Sequence, residues 1–171
     1  TRITSIRDQI GTIDAVLVSG DLSDDGSDDS YARFKSLMAP LNLPLLVIPG
    51  NHDAREPMRA AFADQLPATG PLNWVRQVGE LKVIGLDTLV EGTGKGNLSP
   101  ESLTFFKDAL ASTKGAPAMV ALHHPPFSCG IGFMDAIGLT NRDAFRDAIR
   151  NHTDPLRIVC GHIHSFMVVD V

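Results

Sequence analysis

Residues 45–53 read LLVIPGNHD, a run of four aliphatic residues followed by Pro, Gly and three side chains capable of chemistry. A short apolar run bounded by turn residues is typical of a strand buried on both faces. The arrangement recurs in AVLVSGD at 15–21, PAMVALHHPP at 117–126 and LRIVCGHIH at 156–164. Each of these segments therefore predicts a buried strand that is followed directly by Asp, Asn or His.

Helical patterns separate the four segments, and this alternation predicts an α/β fold with mixed β-sheets flanked by helices. We expect strands at 15–19, 45–48, 81–86, 117–122, 156–160 and 166–171, and a hairpin that pairs 76–78 with 81–87. We expect helices at 31–38, 56–65, 100–110 and 140–150. Ser99 before Pro100 predicts an N-cap with Pro in the first turn, and residues 140–143 can form a capping box.

Composition excludes several classes of protein. The 171 residues fit a single domain, and 15 Lys and Arg against 20 Asp and Glu give a net charge of −5. A surface of this sign argues against partners such as nucleic acid polymers or anionic membranes. The first five residues do not resemble a secretory signal, and two cysteines favour a reducing compartment, so we expect a cytoplasmic protein. The sequence leaves open whether it forms a homodimer.

The polar residues after the predicted strands indicate a metal site. Ligands of open α/β sheets bind beyond the carboxyl ends of the strands, so we expect Asp21, Asn51, His123 and His162 to converge there. Imidazole, carboxylate and amide ligands without thiolate suit Mn, Fe, Zn, Co or Ni. His162 and His164 are two residues apart, so an extended backbone would turn both rings toward the same metal cluster.

The motifs GDLSDDG, GNHD, HHPP and GHIH, in this order, resemble the calcineurin-like metallophosphoesterase family, and within it the class III cyclic nucleotide phosphodiesterase branch. The resemblance covers about residues 14–164 and implies a four-layer αββα sandwich. It also implies two divalent transition-metal ions (Fe, Mn, Zn or Co) and hydrolysis of a small phosphodiester of the 3',5'-cyclic AMP type. The alternatives are a phosphomonoesterase of the same family and a metal- or nucleotide-binding module without turnover.

The resemblance assigns metal-binding roles to five residues. Asp21 would bridge both ions, His164 would bind the first ion, and the second site would be completed by Asn51, His123 and His162. The family also begins with a strand ending in Asp-x-His and continues with strands beyond GHIH, neither of which is found here. We therefore expect one domain over 1–171 that is either trimmed at both ends or a degenerate member of the family, with one fully liganded metal site within these residues.

The resemblance also assigns roles in catalysis. His52 would contact the phosphate and assist the leaving group, and Asp53 would hold His52 in place. Asn51, His52 and His164 would contact the substrate. His123 and His124 compete for one ligand position, and we favour His123 because it directly follows the strand.

Other motifs favour structural interpretations. The acidic run 21–29 is not a calcium loop, since its third position is Ser23 and its twelfth is Ala32. We expect the remaining aspartates of the run to be solvated. GTGKG at 92–96 lacks the Ser or Thr of a phosphate-binding loop and predicts a flexible loop. We interpret Trp74 and Cys160 as packing residues.

Overall fold

The structure, a computed structural model, describes residues 11–170. Within this range the strands are β1 Val16–Val18, β2 Leu45–Val47, β3 Trp74–Val78, β4 Leu81–Leu86, β5 Ala118–Leu122 and β6 Leu156–Cys160. The helices are α1 Asp28–Met38, α2 Arg55–Ala61, α3 Pro100–Ala111, α4 Gly132–Ala136 and α5 Arg142–Ile149. A short 3₁₀ helix, Ala39–Leu41, follows α1.

The strands form two sheets. β1 and β2 pair in parallel, and the second sheet has the order β3-β4-β5-β6, in which only the β3–β4 hairpin is antiparallel among the described strands. The predicted mixed sheet is confirmed. Leu86 pairs with Leu122, and Leu122 pairs with Cys160, so β4, β5 and β6 all end at one edge of the sheet. The residues that follow these strands therefore emerge side by side.

Two apolar clusters give the molecule a layered core. On β4, Val83 joins the cluster that contains residues of β2, α1 and α2, whereas Ile84 belongs to a second cluster with α3 and α5. Val120 and Ala121 of β5 divide in the same way, as expected because side chains alternate between the faces of a strand. The indole Nε1 of Trp74 donates a 2.7 Å hydrogen bond to the carbonyl of Val47 and so joins the two sheets. The layers are therefore stacked in the order helix, sheet, sheet, helix.

Most predicted elements are confirmed, with shifted ends. Ser99 caps α3 by accepting a hydrogen bond from the Ser102 amide, as predicted. The helix predicted over 56–65 ends at Ala61 instead, and the chain continues in turns that use the Phe62 carbonyl. Burial on both faces holds for β5 and for most of β2, whereas β1 and β6 are mainly half-buried.

Three expectations about the chain are wrong or fall outside the described range. Residues 166–170 form no strand, and their side chains are exposed; residue 171 lies outside the described range. The capping box at 140–143 is wrong, because the Thr140 hydroxyl donates to the Gly96 carbonyl and α5 has no side-chain cap. The expectation about a secretory signal concerns residues 1–5, which also lie outside the described range. The short helix α4 was not expected.

The longest helix between residues 11 and 170 is α3, with 12 residues. No helix in that range combines the length and the apolar character that crossing a bilayer requires.

Candidate metal centre

Four loops that follow β1, β2, β5 and β6 bring polar atoms within about 3 Å of one another. Nε2 of His123 lies 3.1 Å from Oδ1 of Asn51 and 3.2 Å from Oδ2 of Asp21. Nδ1 of His162 lies 2.9 Å from the same Asn51 oxygen. Neighbouring ligands about 2.1 Å from one ion are about 3 Å apart when they subtend a right angle. The sequence-predicted residues Asp21, Asn51, His123 and His162 are therefore brought together.

The hydrogen-bonding pattern of this group suits a bound cation. Nδ1 of His123 lies 2.7 Å from the Ser19 carbonyl, which can only accept, so Nδ1 carries a proton. In the neutral ring the lone pair is on Nε2 and faces two oxygens that lack protons, on Asp21 and Asn51. A divalent ion would satisfy the lone pairs of His123, Asp21 and Asn51, with Nδ1 of His162 beside the same Asn51 oxygen. The donor set of N and O suits the transition metals named above.

The electrostatics keep the Asp21 carboxylate ionised. Burial raises its pKa, but contacts with the His123 ring and with the His52 amide outweigh that effect and lower the pKa to about 2. The amide of His52 donates to Oδ1 of Asp21 at 3.0 Å, so Oδ2 is left toward His123. Burial, followed by the neighbouring His123, lowers the pKa of His162. A carboxylate beside a neutral His162 ring is a protonation state that binds a metal ion.

The backbone at the centre is tightly turned. Asp21, His162 and His164 all have positive φ, at 54°, 70° and 48°, a region that only a few per cent of non-glycine residues adopt. The amide of Ile163 donates to the Gly161 carbonyl at 2.8 Å, which closes a three-residue turn around His162. Backbone held in such conformations is a recurrent feature of functional sites.

The prediction that an extended backbone turns His162 and His164 to the same side is wrong. Strand β6 ends at Cys160, and both histidines have positive φ. Both histidines nevertheless line one cleft of about 980 Å³ together with Asp21 and His123. His164 is exposed. It therefore lies beside the buried group of donor atoms rather than within it.

Gly50 and Gly161 allow the loops to approach so closely. A Cβ on Gly50 would collide with the carboxylate and the amide of Asp21. A Cβ on Gly161 would lie 2.5 Å from the Ser19 carbonyl and 2.9 Å from the His123 ring. Both positions therefore exclude a side chain because another loop of the centre occupies the space.

The expected contact between Asp53 and His52 is replaced by a different one. The buried Asp53 carboxylate accepts hydrogen bonds from the amides of Gly50, Leu22 and Ser23, at 2.8, 3.3 and 3.2 Å, and from the Tyr31 hydroxyl at 3.0 Å. Burial raises the pKa of Asp53 although the donated bonds oppose the rise. Asp53 therefore fastens the Asp21 loop to the Asn51 loop.

Asp24, whose side chain is fully exposed as expected, is the partner of His52. Nδ1 of His52 lies 3.3 Å from the Asp24 carbonyl and 3.4 Å from its carboxylate. Both oxygens accept, so Nδ1 holds a proton and Nε2 is free to exchange one with a bound molecule.

His124 completes the histidine cluster. The ligand nitrogens of His123, His124 and His162 all lie within 4.8 Å of one another, and all three residues are buried. Burial and the neighbouring histidines lower the pKa of His124 to about 3, so its ring is neutral. Its Nδ1 lies 2.8 Å from the Thr88 hydroxyl and its Nε2 lies 3.2 Å from the Gly94 carbonyl.

Comparison with known proteins agrees with this geometry. A family model described as calcineurin-like phosphoesterase matches residues 2–166. The chain is 38% identical over 153 residues to the 3',5'-cyclic adenosine monophosphate phosphodiesterase CpdA of Pseudomonas aeruginosa, a match that covers 90% of this chain and 55% of the relative. It is 32% identical over 154 residues to a probable glycerophosphodiester phosphodiesterase GpdQ of Arcobacter nitrofigilis, covering 88% and 56%.

A third relative is the cAMP/cGMP dual specificity phosphodiesterase MT0825 of Mycobacterium tuberculosis, which is 32% identical over 155 residues; the match covers 88% of this chain and 48% of the relative. The chain thus spans about half the length of the curated relatives that it matches. The match to the family model nevertheless covers nearly all of the chain, and it includes every loop of the centre. The chain belongs to the calcineurin-like phosphoesterase family.

Proposed function

We propose that this chain carries the metal centre of a phosphodiesterase that hydrolyses small phosphodiesters, with 3',5'-cyclic nucleotides as the first candidates. One observation carries the proposal: Nε2 of His123 lies 3.1 Å from Oδ1 of Asn51 and 3.2 Å from Oδ2 of Asp21, the spacing of neighbouring ligands around one ion. The names of the relatives support the substrate class, since they include a cyclic AMP phosphodiesterase and a dual specificity cyclic nucleotide phosphodiesterase.

In this proposal Asp21, Asn51, His123 and His162 hold one divalent transition-metal ion, and Asp21 shares a second ion with His164. Two ions there would supply a more acidic water and stabilise charge on the phosphoryl oxygens. The chain's own part is to fix its ligands before substrate arrives. The Ser19 carbonyl fixes the proton of His123, and the His52 amide fixes the rotamer of Asp21.

His52 is the proposed general acid. Asp24 holds the proton on Nδ1, so the protonated ring presents Nε2–H to the leaving oxygen and becomes neutral as it gives up that proton. The ring is about half exposed, which leaves it accessible to a substrate. The amide of Asn51 and the ring of His164 are the other proposed contacts of the phosphate. Asp53 acts at a distance, by keeping the two loops together.

Two alternatives use the same residues. A phosphomonoesterase acting on a substrate with a good leaving group would not need His52 as its general acid. A binding module would hold metal without turnover. Glycerophosphodiesters are a further substrate class, because a probable glycerophosphodiester phosphodiesterase is among the relatives. A reducing compartment such as the cytoplasm also stays part of the proposal, since Cys129 and Cys160 are both free thiols. Dimerisation stays a prediction.

A hydrolysis panel tests the proposed function. The protein is loaded with Mn²⁺ or Co²⁺ and assayed against 3',5'-cyclic AMP, 3',5'-cyclic GMP, a glycerophosphodiester and p-nitrophenyl phosphate. We expect the diesters to be hydrolysed faster than the monoester, and the cyclic nucleotides fastest. A faster monoester would favour the phosphomonoesterase. Metal binding without turnover of any of the four would favour the binding module.

A further inference from the structure

His124 is a buried histidine beside the proposed metal ligands, and it has no role in the proposed function. It directly follows His123, and its ring centre lies 5.0 Å from that of His123 and 4.6 Å from that of His162. Its side chain is fully shielded from solvent. A third imidazole at this distance could be a further metal ligand or could serve another purpose.

The hydrogen bonds of His124 decide between these roles. Nε2 lies 3.2 Å from the carbonyl of Gly94, which can only accept, so Nε2 carries the proton. Nδ1 therefore carries the lone pair, and it accepts from the Thr88 hydroxyl at 2.8 Å. Both nitrogens of the neutral ring are used within the protein, and no lone pair is left for an ion.

The segment over His124 is shaped to the ring. We call residues 92–97 the glycine loop. A Cβ on Gly96 would collide with the ring of His124, so the loop can lie there only without a side chain at that position. The Gly96 amide donates to the Gly138 carbonyl at 3.2 Å, and the Asn97 amide donates to the Thr88 carbonyl at 3.0 Å. The glycine loop, predicted from the sequence to be flexible, is thus hydrogen-bonded to two other segments, at Gly138 and at Thr88.

We propose that His124 is a positioning residue: it does not bind metal, and through its bonds to Gly94 and Thr88 it holds the glycine loop against the metal centre. This proposal rests on the proposed function for its meaning in catalysis. The attachment itself is a property of the fold. Co²⁺ binding and amide hydrogen exchange need no turnover, so these two readouts can succeed or fail independently of the diesterase assay.

The first readout is the binding of Co²⁺. His124→Gln should bind as much Co²⁺ as the unaltered protein and show the same visible absorption spectrum, whereas His123→Gln should lose or alter both. If His124→Gln instead loses Co²⁺ or changes the spectrum as His123→Gln does, His124 is a ligand and the proposal is wrong.

The second readout is amide hydrogen exchange in the glycine loop. The Gln amide of His124→Gln can still donate to Gly94, whereas His124→Asn has an oxygen placed for Thr88 but is too short to reach Gly94. Exchange over residues 93–97 should rise by about fivefold in His124→Asn, the effect of one neutral hydrogen bond, and should stay near the original rate in His124→Gln. Equal rates in the two variants would overturn the proposal.

A change in the loop itself tests the same contact without altering His124. Gly96→Ala places a methyl group against the ring and should also raise exchange over 93–97. Gly132→Ala is the matched control, because nothing lies within 4 Å of a Cβ at that position. In the diesterase assay, His124→Gln should keep most of kcat/KM, and His124→Asn should lose about fivefold. An unchanged loop in Gly96→Ala would contradict the attachment.

Discussion

The buried hydroxyl of Tyr31 donates a 3.0 Å hydrogen bond to Oδ1 of Asp53 and accepts one from the Ala54 amide at 2.9 Å. Tyr31 lies on α1, which follows the Asp21 loop, and Asp53 lies in the turn before α2. The pair therefore connects the two segments that carry the first and second motifs of the centre. Burial raises the pKa of the Tyr31 hydroxyl, so it remains a donor at neutral pH.

Asp53→Asn should destabilise the fold strongly. Each carboxylate oxygen accepts two bonds, so an amide nitrogen in place of either oxygen would face two donors. At ~1.5–3 kcal/mol for each bond to a charged group, we expect a loss of about 3–6 kcal/mol in the free energy of unfolding, measured with urea. The exposed Asp64→Asn should change it by less than about 0.5 kcal/mol. Similar losses in both variants would refute the role assigned to Asp53.

His52→Ala should lower turnover without lowering metal content. Loss of a general acid typically costs about 10²–10⁴-fold, and the cost should shrink for substrates with good leaving groups. Asp24→Asn keeps the backbone carbonyl that orients the ring, and an exposed ion pair contributes less than ~1 kcal/mol, so we expect a loss below about fivefold. Steady-state rates and elemental analysis of both variants decide this, and loss of metal in His52→Ala would make His52 a ligand instead.

Arg55→Ala should destabilise the protein more than removal of an exposed arginine. Nε of Arg55 donates to Asp87 at 2.8 Å, and the Asp87 side chain is only 1% exposed. Removing one partner of a buried pair costs ~3–5 kcal/mol, and the partial exposure of Arg55 places our expectation near the lower figure. Arg146→Ala breaks an exposed pair with Asp143 and should cost less than about 1 kcal/mol. Equal midpoints of unfolding would contradict this difference.

The hydrogen bonds to Asp135 in the loop before α4 should be lost only at an unusually low pH. The Asp135 carboxylate accepts from the Ser128 hydroxyl at 2.6 Å and from the Cys129 amide at 2.7 Å, and these bonds lower its pKa to about 2. A lowered pKa means that the bonds persist above the ordinary value of 3.8 and are lost as pH falls through about 2. The NMR shifts of the Cys129 and Gly130 amides should titrate with a midpoint near 2. A midpoint near 4 would show that the bonds are absent.

The residues of the centre were predictable because strand ends are local features. Asp21, Asn51, His123 and His162 each follow an aliphatic run, and the pairing of Leu86, Leu122 and Cys160 places the ends of β4, β5 and β6 together. Alternation of strands and helices likewise indicated a mixed α/β fold. These inferences need only the periodicity of the chain and the rule that parallel strands end at one edge.

What could not be predicted depends on contacts between distant segments. The glycine loop is ordered by His124, some 30 residues away in the sequence, and the Thr140 hydroxyl turns to Gly96 instead of capping α5. The predicted contact between Asp53 and His52 is wrong for the same reason, since the partners of Asp53 include amides about 30 residues earlier in the chain. His162 and His164 leave the extended conformation because β6 ends before them.

Metal binding tests the central claim most directly. The protein is stripped with a chelator, dialysed against Mn²⁺ or Co²⁺ and analysed for bound metal per chain, together with Asp21→Asn and the control Asp29→Asn. With four protein ligands at one site, we predict about one tightly bound ion in the original protein and in Asp29→Asn, and a large loss in Asp21→Asn. If all three proteins bind the same amount of metal, or none, the group formed by Asp21, Asn51, His123 and His162 is not a metal centre.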